Sequence, residues 1–330
     1  MPNQETKRQH FVPRVYLKNF AKKYGDKWLI DSVNMEDPSH HFSGNIDDVC
    51  VKKNFYTLTG GTEKERQAIE NFYQDIETKY DSVYSKLVDT NIREIEDEEK
   101  QIIIAFLTTL LFRNLSWVER YNEFVERSFR KAYALCNQHG KKKFNYLGKQ
   151  ISFENQDFEE VLDEHLTSIK DGQVSVQVDV ALRLSQLRAE DEFFVTELGE
   201  ENSNFVTSDN PVVIQSESKG YVMPFDPENI LSLPLNNKFL LYLMPSSISP
   251  IKIKPNYIAR DQKTDLLCRT EELTANFLQI RNTNRFLLGE KKFIDKALEQ
   301  KKINDSFKDF KRPKSLTEFA EIAKKIGLIE

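Results

Sequence analysis

The chain has 330 residues, 39% of them hydrophobic and 30% charged, with a formal net charge of -5 at pH 7. This is a globular balance, with 23 Phe and 12 Tyr available for a core; it excludes a disordered chain, and its mild acidity excludes a surface that binds nucleic acid all over, though not a local basic groove. Cys50, Cys136 and Cys268 are scattered, so they form neither a disulfide framework nor a zinc spacing, and the polar residues 1–10 have no signal-like character, so the expected compartment is the cytoplasm with no membrane partner.

Taken in chain order, Pro13 suits the start of a helix, where its missing N–H costs nothing, and Tyr16, Leu17 and Phe20 follow on one face. Residues 27–33 have the β-branched and aromatic content of a strand, and 45–58 end in a second strand or turn stopped by Gly60 and Gly61. Thr62 with Glu65 is a capping box. It opens a helix with Ile69, Phe72, Tyr73, Ile76, Tyr80, Val83 and Leu87 in a continuous apolar stripe. Glu70 and Glu77 share a face beside that stripe and read as flank charges. The apolar run 102–112 is too short to span a bilayer and predicts a buried helix over 101–117, with helical periodicity continuing through Tyr121, Phe124, Val125 and Phe129.

Residues 140–153 read as a loop or small hairpin, followed by helices at 155–170 and 176–189. From 191 the pattern changes to strands: 191–198, 204–215, 230–235 and 238–244, the last two joined by the turn signal Asn236-Asn237. Helices resume at 270–283 and 290–301. After a lysine-rich linker (301–314), a second capping box, Ser315 with Glu318, precedes Phe319, Ile322 and Ile326 on one face. The order is helices, a strand block, then helices. It predicts an α+β fold, mainly helical, with one mixed or antiparallel sheet of about five or six strands in which 27–58 join 191–245. The whole of 1–330 is read as a single domain.

Several of these residues carry a family resemblance. His10-Phe11-Val12-Pro13, Tyr16-Leu17 and Asn19-Phe20 resemble the opening signature of the domain of unknown function 4238 family. Ser208-Asp209-Asn210-Pro211 resembles its Ser-Asp-Asn-Pro element at a strand end. Asn54-Phe55-Tyr56, Phe106 to Phe112-Arg113, Leu233-Pro234-Leu235 and the helix at 276–286 resemble later blocks. The likeness covers about 9–290, leaving 291–330 as a C-terminal helical extension. One departure concerns Arg113: a Pro is expected soon after it, and Asn-Leu-Ser follows instead, so no role is carried over to Arg113. The resemblance implies a bacterial protein of the kind found among phage-defence genes.

Two readings of the motifs stand side by side. In the first, His10, Asp209 and Asn210 are catalytic, and Arg14, Tyr16 and Ser208 bind substrate. A neutral imidazole serves as general base or metal ligand, and Asp209 is a hard ligand suited to Mg2+. His10 and Asp209 are then expected to meet in a cleft and support hydrolysis of a phosphodiester or nucleotide. In the second reading His10 bonds a backbone carbonyl or caps a helix, and Ser208 to Pro211 is an Asx-type turn. The protein is then a sensor of a phage component or an interaction module. His40 and His41 have no third ligand at metal spacing, and Lys141 to Lys143 and the lysines of 301–314 read as solvated loops.

Overall fold

The computed structural model describes residues 8–146, 149–216, 223–249 and 254–306. The N-terminal part runs β1 (Arg8–His10), α1 (Arg14–Leu17), β2 (Lys22–Tyr24), β3 (Lys27–Asn34), β4 (Asp37–Asn45) and β5 (Val51–Lys53). A helical stretch follows: α2 (Glu63–Arg66), α3 (Ala68–Val88), α4 (Asp97–Phe112) and α5 (Leu115–Gln138), then the hairpin β6 (Lys143–Tyr146) and β7 (Lys149–Ser152), then α6 (Phe158–Ser168) and α7 (Lys170–Leu187). The C-terminal part comprises β8 (Glu192–Leu198), β9 (Thr207–Ser208), β10 (Val213–Gln215), β11 (Ile230–Pro234), β12 (Phe239–Met244), β13 (Ile258–Lys263), α8 (Asp265–Asn282), β14 (Phe286–Gly289) and α9 (Lys291–Ser306). The second capping box, Ser315 with Glu318, and the face of Phe319, Ile322 and Ile326 lie outside the described residues.

The class is α+β, as the element order predicts. The expected mixed sheet is the five-stranded one, ordered β10-β11-β12-β8-β13, in which β13 runs parallel to β8 and the other pairs are antiparallel. The N-terminal strands do not join it. β2, β3 and β4 form a second sheet, β2-β3-β14-β9 with β4 beside β3, and β1 and β5 pair with each other; the central strand β14 thus joins β3 to Ser208 of β9. The sequence pattern predicts one strand over residues 204–215. They make only β9 and β10, because the intervening 209–212 leave one sheet and enter the other.

Helix boundaries follow local chemistry. The Thr62–Glu65 capping box is present, yet it caps only α2; the chain then breaks at Gln67 before α3 begins. The long apolar helix also breaks. Asn114 takes an extended conformation and accepts the Trp117 N–H at 2.9 Å, so it is the N-cap of α5. The two helices consequently bend by 51°. Residues 106–112 of α4 are all buried, which makes it the central helix of the main cluster. Tyr80 of α3 stacks on Phe106 with ring centroids 3.6 Å apart. No single described helix is long and apolar enough to cross a membrane.

Candidate functional site

His10 ends β1, paired with Val51 of β5, and is half-buried. Its Nε2 lies 3.0 Å from the carbonyl of Ile46, which requires Nε2–H to be the donor and leaves Nδ1 as the basic atom. Burial, joined by the positive charges of Arg14 and Arg113, lowers its pKa from 6.5 to about 4 against the Ile46 bond and Asp47. The ring is therefore neutral at pH 7. Arg14, the first residue of α1, is exposed and donates to Asp47 Oδ1 at 3.0 Å. That contact holds the Asp47 carboxyl below its ordinary value.

These residues line one open cavity of about 710 Å³, together with Arg8, Glu70 and Glu77. The two glutamates are thus more than flank charges. Their seven-residue spacing puts both on the cavity side of α3. Burial raises the Glu70 carboxyl, Arg113 opposes the shift and Glu77 adds to it. Glu77 is ion-paired to Arg113 at 2.8 Å.

Arg113, to which sequence reasoning carried no role, is the best-connected cation behind this wall. It is 2% exposed. Its Nη2 donates to the His10 carbonyl at 2.9 Å and to Glu77 Oε1 at 2.8 Å, and its Nε to the Phe11 carbonyl at 3.2 Å. The guanidinium lies 4.7 Å from the Tyr73 ring centroid. Its own carbonyl accepts the Tyr56 hydroxyl at 2.8 Å. The only hint in the sequence is a charge placed directly after the most apolar run of the chain.

The second motif is built differently. Ser208, Asp209 and Asn210 are 0%, 1% and 8% exposed. Asp209 accepts the backbone N–H of Asn284 at 2.9 Å on Oδ1, and those of Arg285 and Phe286 at 2.8 and 3.1 Å on Oδ2. Burial outweighs these bonds and pushes its pKa up to about 6. Asn210 accepts from Asn114 Nδ2 at 2.8 Å and donates to the Asn282 carbonyl at 2.9 Å. Ser208 donates to Gln279 Oε1 at 2.9 Å. The motif therefore ties the end of α8 and the start of β14 to β9. It is a long-range clamp rather than a cleft wall: Asp209 bonds the backbone of 284–286, whereas the bonds of an Asx-type turn stay within neighbouring residues.

His10 and Asp209 share no hydrogen bond or ion pair, and Asp209 is not among the residues lining the cavity. The motifs meet through other atoms. The Tyr16 hydroxyl lies 2.6 Å from Thr207 Oγ1 and donates to the Pro234 carbonyl at 2.8 Å. Tyr16 is fully buried, so like Ser208 it is placed to brace the fold and not to touch a ligand in the cavity. Both oxygens of Asp209 face N–H donors, a poor fit to Mg2+. Among the described residues no three His, Cys, Asp or Glu side chains cluster as a metal site. Of the six expected site residues, His10 and Arg14 face the cavity; Tyr16, Ser208, Asp209 and Asn210 hold its frame.

No curated protein and no solved structure matches the chain. The family model described as "Protein of unknown function (DUF4238)" matches residues 8–305, and the chain belongs to that family.

Proposed function

We propose that the chain is a hydrolase acting in the His10 cavity, with a phosphodiester or nucleotide as substrate and defence against phage as its setting. The observation that carries this reading is one cavity wall with a neutral imidazole and another with a glutamate whose carboxyl is raised by burial. Such a pair divides general-base and general-acid work. In this reading Nδ1 of His10 takes the proton of an attacking water and Glu70 gives one to the leaving group. Arg8 and Arg14 supply charge-assisted donors for a phosphate, which would replace Asp48 and Asp47, their present partners. Glu77 and Asp81 make the opposite wall acidic, so the phosphate sits on the arginine side. No step is assigned to a metal. The cytoplasm fits the same reading, since Cys50, Cys136 and Cys268 are all free.

The test is hydrolysis of nucleoside triphosphates and of single- and double-stranded nucleic acid by the purified chain, beside plaque counts on cells expressing it. His10→Ala and Glu70→Gln should fold and lose roughly 10²–10⁴ in rate. Asp209→Asn should instead lower the melting temperature, with the rate per folded molecule largely kept. Full activity in both folded cavity variants would sink the hydrolase reading.

A non-catalytic interaction module is favoured by a different observation. Phe124 and Leu135 on α5 are 67% and 57% exposed, and their eleven-residue spacing puts them on one face. Loss of phage protection in a folded Phe124→Ser variant that keeps any hydrolysis would support it.

A further inference from the structure

Two walls of the cavity come from distant parts of the chain: the end of β1, with His10, and α3, with Glu70 and Glu77. One buried side chain spans both. The guanidinium of Arg113 donates to the His10 and Phe11 carbonyls on one side and to the Glu77 carboxylate on the other. It also lies against the Tyr73 ring. This use needs a planar fork with several fixed donors, which a lysine ammonium cannot supply in the same geometry.

We propose that Arg113 is the positioning residue of the cleft: its fork sets the His10 backbone against α3, and its charge makes the neighbouring glutamates Glu70 and Glu77 chemically unequal. The inference rests on the reading of this cavity as the reactive site. Glu77 is ion-paired directly to Arg113, whereas Glu70 accepts a long hydrogen bond, 3.4 Å, from the side-chain amide of Gln74. The groups acting on Glu70 come from the elements around it: Arg113 from the end of α4, Glu77 and the Gln74 amide from α3, and Arg14 from α1; Glu70 in turn adds to the rise that burial gives the Tyr56 and Tyr73 phenols. Arg113 favours the ionised form of Glu70, and Glu77 favours the protonated form. Glu77 is thus tied to Arg113, while the Glu70 carboxyl lines the cavity with its proton affinity raised by burial.

The experiment follows the titration of Glu70 by carboxyl-carbon NMR in the full chain, with Glu70→Gln assigning the signal. Arg113→Met removes the charge at similar volume, and the Glu70 midpoint should rise. Glu77→Gln removes the partner and should lower it. Arg113→Lys keeps the charge but not the fork. It should leave that midpoint near the wild-type value while moving the backbone amide signals of 10–12. Midpoints that stay unchanged, or shift the same way in Arg113→Met and Glu77→Gln, would overturn the proposal. Should Arg113→Met fail to fold, an unmoved midpoint in Glu77→Gln overturns it alone. A wild-type chain without hydrolytic activity would remove the hydrolase reading and leave these titrations standing.

Discussion

His10 and Asp209 respond to folding in opposite ways. For His10 the pKa falls from 6.5 to about 4 on burial. Between those values the unfolded chain binds more protons than the folded one, so this residue makes stability rise with pH. For Asp209 the pKa rises from 3.8 to about 6, the folded chain binds more protons in between, and stability falls with pH. The two effects oppose each other from about pH 4 to pH 6. Urea unfolding of wild type and His10→Asn at a series of pH values separates them. Wild type should lose stability relative to the variant as pH drops from 6.5 to about 4. A difference independent of pH would mean that the imidazole is not held neutral. Arg113 belongs at this scale too. Removing it leaves the Glu77 carboxylate and two carbonyls without their donor, and breaking such a buried pair typically costs about 3–5 kcal/mol.

Among the elements, the junction of α4 and α5 does the most to place the cavity. Asn114 caps α5 through its side-chain oxygen and reaches Asn210 through its amide nitrogen, so a single residue ends one helix, starts the next and holds the second motif. The turn that Asn114 makes stands where the family resemblance leads one to expect a Pro nearby. Asn114→Ala should cost about 0.5–2 kcal/mol for the cap alone, with more for the unpaired Asn210 oxygen. Chemical denaturation would show it as a lower midpoint at unchanged slope. A change below a few tenths of a kcal/mol would mean that water replaces the cap. The far end of α3 is closed in a similar way from outside. Arg260 of β13 donates to the carbonyls of Lys86 and Leu87 at 2.7 and 2.8 Å, which the helix end leaves open, and to that of Ile92 in the following loop at 2.7 Å.

For the whole molecule, the main apolar cluster draws residues from Phe11 to Leu288, so the segment after β1 and the last strand share one interior. A satellite cluster stands apart from it. Phe129 and Cys136 of α5, Phe153, and Phe158, Val161 and Leu162 of α6 pack around the β6–β7 hairpin. Regions with few contacts to the main core open at lower free energy. Hydrogen exchange should therefore show β6, β7 and α6 exchanging ahead of α4 and β11. Equal protection throughout would make the hairpin part of the main cooperative unit and favour the reading of 1–330 as a single domain.

What the sequence determined by itself is the short-range part. Apolar periodicity marks α3 and α4, capping chemistry marks α2, the apolar and aromatic content of β8 and β12 with the Asn236-Asn237 turn marks the strand block, and the ordered motifs mark the family. These signals sit within a few turns of backbone, where propensity and side-chain spacing decide. Tertiary structure alone decided which buried polar group meets which. Glu70 reads as a flank charge until Arg8 of β1 and Arg14 of α1 line the same cavity, and Ser208 to Asn210 reads as site or turn until the N–H groups of Asn284, Arg285 and Phe286 reach Asp209. Arg113 and its His10 contact lie 103 residues apart, and Tyr16 and Pro234 lie 218 apart. A buried donor or acceptor must find a partner. Which partner it finds depends on the path of the whole chain and leaves no trace in the residues around it.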